Sequence, residues 1–361
     1  MHPHTIERLW YGDDILARSG RILALPASGV FRAASSLRNT LYNTGLATRF
    51  RPALPVVSVG NLTVGGTGKT PVSARLATML SDQGATPAIV LRGYGDDEPD
   101  VHTMLNPGLQ VVVDADRVRG VRRAAERGAD IAVLDDAFQH RRVERSADLV
   151  LLSADRPIHP RYPLPAGPWR EPLSSLRRAS LAIITRKAAE DTAVEHAWDA
   201  IVRAAPGLPI AVAALQLGDL RLLPGRDPGP NSGAQRPLSA LGGRRVLAVA
   251  ALGDPAAFVS QLVARGADVD AMLYPDHYDF QEADVTTITR RARDSDITVC
   301  TLKDAVKLIS LWPRTAPDVW YVTQTVHFER GENELRRILD RALERRGSTN
   351  RPGSRYLPGE S

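Results

Sequence analysis

The chain has 361 residues, of which 43% are hydrophobic and 24% are charged, with 46 basic and 41 acidic side chains. This composition is typical of a folded protein of about two domains, and it excludes a disordered or collagen-like chain. The single cysteine, Cys300, excludes an internal disulfide and favours a reducing compartment such as the cytoplasm. No apolar run reaches the roughly 18 residues of a membrane-spanning helix, so we expect any membrane contact to be peripheral.

Residues 1–51 form a basic amphipathic segment. Between Ile15 and Arg51 there are six arginines and no acidic residue, and Val30, Leu37 and Leu41 recur at helical spacing. This pattern is typical of a helix that lies on an anionic membrane surface, but it fits equally a helix packed on the body of the protein. Nucleic-acid binding is not expected, because acids balance the remaining basic residues and aromatics make up only 5%.

From residue 52 onward, short β-branched runs alternate with amphipathic stretches, which predicts an α/β fold with parallel sheets. We predict a P-loop NTPase-type domain over 52–222 and a Pro/Gly-rich linker over 223–243. A second, smaller α/β domain is expected over 244–330, followed by a C-terminal helix and a disordered tail over 331–361. The predicted strands are Val56–Val59, Ala88–Leu91, Val111–Val113, Ile131–Leu134, Leu149–Leu152, Ala182–Thr185, Arg245–Ala251, Ile297–Leu302 and Val319–Thr323.

The strongest local motif follows the first predicted strand. It reads Gly65-Gly66-Thr67-Gly68-Lys69-Thr70 and opens a helix, which is the context of a phosphate-binding P-loop. In such a loop the backbone N–H groups surround the phosphates of ATP, the lysine neutralises their charge, and the threonine hydroxyl can ligate Mg²⁺. Thr63 stands where the strict pattern has its first glycine, so the match is one residue short.

Two acidic residues, Asp135 and Asp136, directly follow the predicted strand Ile131–Leu134. A P-loop enzyme needs an acid at the end of a neighbouring strand to hold Mg²⁺, directly or through water. Ligands of open α/β sheets bind at this edge. We therefore expect the P-loop and the two acids to form one site.

Further motifs occur in a specific order along the chain. They are Arg92-Gly93-Tyr94-Gly95, Asp97-Glu98-Pro99, Asp135-Asp136-Ala137-Phe138-Gln139-His140, Leu164-Pro165-Ala166-Gly167-Pro168-Trp169-Arg170-Glu171-Pro172, Gly253-Asp254-Pro255, Pro275-Asp276-His277-Tyr278-Asp279-Phe280 and Lys303-Asp304-Ala305-Val306. With the P-loop, these motifs resemble the tetraacyldisaccharide 4′-kinase family over about residues 52–325.

The resemblance implies phosphorylation of the 4′-hydroxyl of lipid A disaccharide 1-phosphate, with ATP and Mg²⁺ as cofactors. It implies a peripheral protein at the cytoplasmic face of the inner membrane, with an anionic membrane surface as partner and no obligate protein partner evident. Transferred residue by residue, it makes Asp97 the base, assisted by His277, and Lys69 a third catalytic residue. The other implied roles are nucleotide binding by the P-loop with Lys69 and Thr70, metal binding by Thr70, Asp135, Asp136 and Glu171, and substrate binding by Arg92, Tyr94, Gln139, His140 and Arg170.

Three departures from the family pattern are visible. Ala137 stands where the family usually has glycine, and Leu302 replaces a common glutamate. The arginine-glycine-tyrosine motif nearly merges with Asp97-Glu98-Pro99, which leaves Asp96 as an alternative base.

Two other functions compete with the kinase interpretation. A P-loop ATPase of the partitioning or cluster-carrier type has a similar loop but needs a lysine where this chain has Val64. A membrane-recruited nucleotide-binding module would use the basic N-terminal segment and leave Asp97 and His277 without a role. ATP turnover with a lipid acceptor would separate the module from the kinase.

Overall fold

The structure is a computed structural model. It describes residues 3–93, 98–159, 161–223, 234–252, 255–275, 278–313 and 315–349. Within these ranges, twelve strands form one mostly parallel sheet covered by helices. The α/β fold class predicted from the alternating pattern is confirmed.

The first half of the sheet has the order β7-β6-β5-β1-β4-β2-β3, and every neighbouring pair in it is parallel. All six residues of its central strand β1 are buried, as expected for a strand covered on both faces. The strands are β1 (Val56–Asn61), β2 (Pro87–Leu91), β3 (Gln110–Val113), β4 (Ile131–Leu134), β5 (Ala147–Ser153), β6 (Leu181–Arg186) and β7 (Ile210–Leu222). The helices of this half are α3 (Lys69–Asp82), α4 (Glu98–Leu105), α5 (Arg117–Glu126) and α6 (Asp191–Ala204).

The second half continues the same sheet in the order β10-β9-β11-β12. These four strands are mutually parallel, while β12 pairs antiparallel with β7 and so joins the two halves. The short strand β8 lies outside this order and pairs antiparallel with β7. The elements are β8 (Gln235–Arg236), β9 (Arg245–Ala251), α7 (Pro255–Val263), β10 (Asp268–Tyr274), α8 (Glu282–Ala292), β11 (Ile297–Thr301), α9 (Leu302–Leu308) and β12 (Val319–Arg330). The division into two domains stays a prediction, and residues 224–233 of the predicted linker lie outside the described ranges.

The C-terminal helix α10 (Glu332–Thr349) returns to the first half. Leu335, Leu339 and Ala342 are buried in one core cluster with residues of β1 and α3. The predicted C-terminal tail lies outside the described residues from 350 onward.

Two helices precede the sheet, α1 (Pro3–Tyr11) and α2 (Ile15–Asn43). Asp14 caps α2 by accepting a hydrogen bond from the Ala17 N–H at 3.1 Å. The Ser28 hydroxyl fixes the helix to the body, since it donates to the Pro163 carbonyl and accepts from the Ala166 N–H, both at 3.0 Å. The apolar face points away from the body, with Leu23 81% exposed and Val30 72% exposed. None of the described helices is both long enough and apolar enough to cross a membrane.

Candidate active site

The P-loop connects the end of β1 to the start of α3. Gly65 and Gly68 have φ angles of 113° and 82°, which glycine adopts at no steric cost. Gly68 is the N-cap of α3 and has no side chain to satisfy the first N–H groups of the helix. These N–H groups and the helix dipole therefore favour an anion such as a phosphate at this end.

Hydrogen bonds fix the loop on two sides. The Thr67 hydroxyl accepts from the Asn61 side-chain amide at 3.0 Å, and the Thr67 carbonyl accepts from the Thr185 hydroxyl at 2.9 Å. Asn61 ends β1 and Thr185 lies in the neighbouring part of the sheet, on β6. The loop is thus preorganised by two residues to which the sequence analysis gave no role.

Four of the predicted site residues meet at the end of β4. Asp136 lies 3.8 Å from the Lys69 ammonium, and the Arg170 guanidinium donates to both Asp136 carboxylate oxygens at 3.0 and 3.1 Å. Gln139 donates to the Asn61 carbonyl at 2.8 Å and lies 3.5 Å from Arg170. These contacts place two cations and a carboxylate beside the phosphate-binding loop.

The turn after the two acids adopts a strained backbone at Asp136, whose φ is 47°. Aspartate tolerates this left-handed conformation better than most residues because its short side chain bonds locally. Ala137 is fully buried among the apolar residues on one face of the sheet, and its N–H bonds the Val59 carbonyl at 3.0 Å. The strained position is therefore Asp136, and the Ala137 methyl group is accommodated.

Asp135 has a different environment from its neighbour. Its Oδ2 atom lies 2.9 Å from His102 Nε2, its Oδ1 atom accepts from the Asp136 N–H at 2.8 Å, and its carbonyl accepts from Arg117 at 2.7 Å. Burial raises the pKa of the Asp135 carboxyl, but the His102 hydrogen bond and the Lys69 charge more than offset it, so this pKa lies below its ordinary value. Asp135 is thus a buried, fixed carboxylate.

Two glutamates, Glu98 and Glu171, lie in different surroundings near the site. Burial and the nearby Asp135 carboxylate raise the pKa of Glu98. Glu171 is buried and bonded to Arg178 at 2.8 Å, to Asn39 at 2.9 Å and to Arg38 at 3.5 Å. Glu171 therefore contacts α2 and Arg178, and none of these contacts links Glu171 to Asp135 or Asp136.

The remaining predicted residues are distributed as follows. Thr70 lies in the first turn of α3 and is half-buried, and Arg92 follows β2 and is exposed. Burial and the charges of Arg117 and Arg145 lower the pKa of His140 to about 4, so its imidazole is neutral at neutral pH. Four residues with predicted or alternative roles lie outside the described ranges: Tyr94, Asp96, Asp97 and His277.

A cavity of about 860 Å³ opens beside this site, between α2 and residues 161–178. Arg170 lines the cavity and also contacts Asp136, so it marks the boundary between the cavity and the P-loop. The further arginines of its wall are Arg32, Arg141, Arg161, Arg177 and Arg178. A concave surface with this charge suits an anionic, polar ligand.

The oxygen donors beside the P-loop suit Mg²⁺. Among the described residues, no group of three or more His, Cys, Asp or Glu side chains is placed to hold a metal ion. Mg²⁺ is usually bound by one or two carboxylates together with waters and substrate phosphates, so it fits this site. The donors are the Thr70 hydroxyl and the carboxylates of Asp135 and Asp136, of which Asp136 is 37% exposed.

A parallel sheet with a glycine-rich loop between β1 and α3, and tandem acids at the neighbouring strand end, defines a P-loop nucleotide-binding protein. The model of the LpxK family, tetraacyldisaccharide-1-P 4′-kinase, matches residues 20–344. The chain belongs to this family. The resemblance stated from the sequence motifs is thereby confirmed.

Two relatives and one solved structure support the assignment. The tetraacyldisaccharide 4′-kinase of Anaeromyxobacter sp. (strain Fw109-5) is 35% identical, covering 94% of this chain and 97% of that protein. The enzyme of the same name from Anaeromyxobacter dehalogenans (strain 2CP-C) is 38% identical, with coverages of 84% and 86%. The crystal structure of the "apo" form of LpxK from Aquifex aeolicus in complex with ATP is 29% identical, with a TM-score of 0.71, and covers 89% of this chain and 99% of that one.

Proposed function

We propose that the protein is an ATP-dependent kinase that transfers the γ-phosphate of ATP to the 4′-hydroxyl of lipid A disaccharide 1-phosphate. Family membership supports the reaction. The observation that carries the proposal is Arg170, which lines the arginine-rich cavity and contacts Asp136 beside Lys69. A sugar in the cavity is thereby next to a phosphate in the loop.

Residues of the P-loop, the two acids and Arg170 have different roles on the ATP side of phosphoryl transfer. Backbone N–H groups of residues 65–70 and the Lys69 ammonium bind the ATP phosphates. Thr70, Asp135 and Asp136 would hold Mg²⁺, which would neutralise charge that develops on the phosphates. Arg170 adds positive charge at the boundary with the acceptor. Since phosphoryl transfer needs mainly positioning and charge neutralisation, this set is sufficient for the donor side.

On the acceptor side, Asp97 takes the proton of the sugar hydroxyl, and His277 orients it and shares the proton. An ordinary aspartate, with a pKa of about 3.9, is a weak base at neutral pH and gains from such a partner. Asp97 directly precedes Glu98, the first residue of α4. The charges of Asp135, Asp136 and Lys69 influence the pKa of Glu98. This position in the chain favours a reaction centre beside the two acids.

The acceptor is a lipid, and α2 provides the means to reach it. Its exposed apolar side chains, including Ile15, Leu23 and Val30, lie on the same helix as four of the arginines of the basic segment. This arrangement fits attachment to the anionic cytoplasmic face of the inner membrane, with apolar groups inserted and arginines at the headgroups. Because α2 also forms a wall of the cavity, a headgroup reaches the cavity without leaving the membrane surface.

The direct test is a phosphate-transfer assay with radiolabelled ATP, Mg²⁺ and the lipid A disaccharide 1-phosphate in detergent micelles. We expect label on the lipid, at its 4′ position, and little ATP consumption in micelles without lipid. ATP binding with no transfer to the lipid would refute the kinase proposal. ATP hydrolysis of equal rate with and without lipid would instead favour a P-loop ATPase.

A further inference from the structure

Helix α4 carries a buried histidine that contacts one of the two acids of the site. His102 is 0% exposed, and its Nε2 atom lies 2.9 Å from Asp135 Oδ2, which is also buried. Its Nδ1 atom has no hydrogen-bond partner among the described residues. Among the described residues, the His102 ring therefore forms its hydrogen bond with Asp135.

The chemistry of the pair fixes its direction. An ionised carboxylate only accepts hydrogen bonds, so Nε2 carries the hydrogen and donates it to Asp135. The second carboxylate oxygen accepts from the Asp136 N–H at 2.8 Å. The carboxylate is therefore held at both oxygens, and rotating it would leave a buried donor unpaired.

Helix α4 is itself fixed to both halves of the molecule. Val101 is buried in the core of the second half, and Met104 and Leu105 pack against the same core. Asn106, one residue beyond the helix, bonds the Thr78 hydroxyl at 3.0 Å and the Ala74 carbonyl at 3.1 Å, both on the P-loop helix α3. His102 thus extends from a rigid support that spans the P-loop helix and the second half.

We propose that His102 is a positioning residue that holds the Asp135 carboxylate in the orientation needed for Mg²⁺ bound with ATP. The inference deepens the proposed function, on which its catalytic consequence rests. A purely structural ring would need no polar atom at this buried place, since an apolar side chain of similar size would fill it. His102 instead directs its N–H to one of the two acids beside the P-loop.

The test compares three substitutions of one residue. His102→Gln keeps a donor near the position of Nε2, His102→Asn has a shorter amide that does not reach it, and His102→Leu removes the donor. Thr103→Val, at an exposed position of the same helix, is the matched control. The readouts are Mn²⁺ affinity in the presence of ATP by electron paramagnetic resonance, ATP affinity without metal, thermal unfolding and the transfer rate.

We expect His102→Asn and His102→Leu to weaken Mn²⁺ binding roughly 10- to 100-fold, as is usual when a residue that orients a metal ligand is lost. Metal-free ATP affinity should stay close to that of the unsubstituted protein, and His102→Gln and Thr103→Val should bind Mn²⁺ almost normally. If His102→Leu does not fold, the comparison of glutamine with asparagine decides. Equal Mn²⁺ affinity in these two variants would overturn the inference. Failure of lipid phosphorylation by the unsubstituted protein would refute the kinase function, while the metal-binding comparison would still report on His102.

Discussion

Each half of the sheet has a strand that leads into a helix, β1 into α3 and β11 into α9, but the two helix N-termini are satisfied differently. In the first half, α3 begins at a glycine N-cap, and its first N–H groups lack a side-chain partner. In the second half, the N-cap of α9 is Thr301, whose hydroxyl accepts from the Asp304 N–H at 3.2 Å. A helix start that is capped by its own side chain is stabilised, whereas an uncapped one is left available for a ligand.

The acids at the two sheet edges differ in the same way. Asp136 is partly exposed and faces Lys69 and Arg170. Asp304 is 1% exposed, and its Oδ2 atom accepts from the Thr301 hydroxyl at 2.6 Å and from the Ala251 N–H at 3.1 Å. Asp136, partly exposed and facing two cations, is therefore a candidate catalytic group, whereas Asp304, buried and held by a hydroxyl and a backbone N–H, is a structural one.

The largest effect is expected for Asp97 and His277, the pair that the proposed function assigns to proton transfer. Asp97→Ala and His277→Ala should each lower kcat roughly 10²- to 10⁴-fold, which is the range for general acid–base groups. If the two act as a unit, the double variant should be little worse than the poorer single variant. Steady-state kinetics of the three variants measures this. Losses that multiply would show that the residues act independently, and a normal Asp97→Ala would move the base to Asp96 or elsewhere.

In the first half, Lys69→Ala should leave the fold intact and lower kcat roughly 10²- to 10³-fold, as expected for one electrostatic contact to the reacting phosphate. Arg336→Ala removes an exposed cation of α10 that pairs with Glu332, and it should have normal kcat. Circular dichroism and the lipid phosphorylation assay check both variants. A folded Lys69→Ala with near-normal turnover would contradict the P-loop role.

In the second half, Asp304→Asn should raise stability rather than lower it. Burial raises the pKa of Asp304 to about 6 from 3.8, so the native state binds the proton more tightly than the unfolded state. The stability of the unsubstituted protein therefore falls as pH rises through this interval, and the penalty at neutral pH is about 3 kcal/mol. Asparagine can keep both hydrogen bonds through its carbonyl oxygen without the charge.

Urea unfolding of the two proteins at several pH values measures the effect. The free energy of unfolding of Asp304→Asn, minus that of the unsubstituted protein, should grow between about pH 4 and pH 7. A difference that does not depend on pH would contradict a raised pKa. Because Asp304 makes structural contacts, we expect no change in the pH dependence of ATP binding.

The smallest effect on stability is expected at α2. Leu23→Ser with Val30→Ser should change the free energy of unfolding by no more than about 0.5 kcal/mol, because both side chains are exposed. Binding to vesicles with anionic lipid should fall roughly tenfold or more, since each inserted side chain contributes about 1.5–3 kcal/mol when fully buried. Val202→Ser, at an exposed position of α6, is the control. Unchanged co-sedimentation of the α2 variant would argue against insertion.

Much of the fold was predictable because its pattern is regular. The strands β1, β2, β4 and β6 are buried apolar runs, and the structure confirms them. Strand β7 was not predicted, because its first residues are rich in alanine, a residue that is depleted in strands. Strand β10, an edge strand with Asp268 and Asp270, was not predicted either. Local composition is misleading where pairing with a neighbour decides the structure.

The site was predictable only in part. Lys69, Asp136 and Gln139 meet as the shared strand-end position suggested, and Arg170, implied by the family resemblance, joins them. His102 could not be found, because it lies in an ordinary helical stretch and its role depends on contact with a residue 33 positions away. The contacts of Glu171 with α2 likewise depend on tertiary structure. A sequence motif identifies functional residues that are close together in the chain. It does not reveal partners that only folding brings into contact.

The return of α10 to the first half has a consequence for synthesis of the chain. Leu335 and Leu339 complete the core around β1 and α3, although more than 250 residues separate them from β1 in the sequence. On the ribosome, the P-loop half therefore emerges well before α10 and cannot close its core until α10 has been translated. We expect stalled nascent chains that end before α10 to remain protease-sensitive in the first half and to become resistant once α10 has left the exit tunnel.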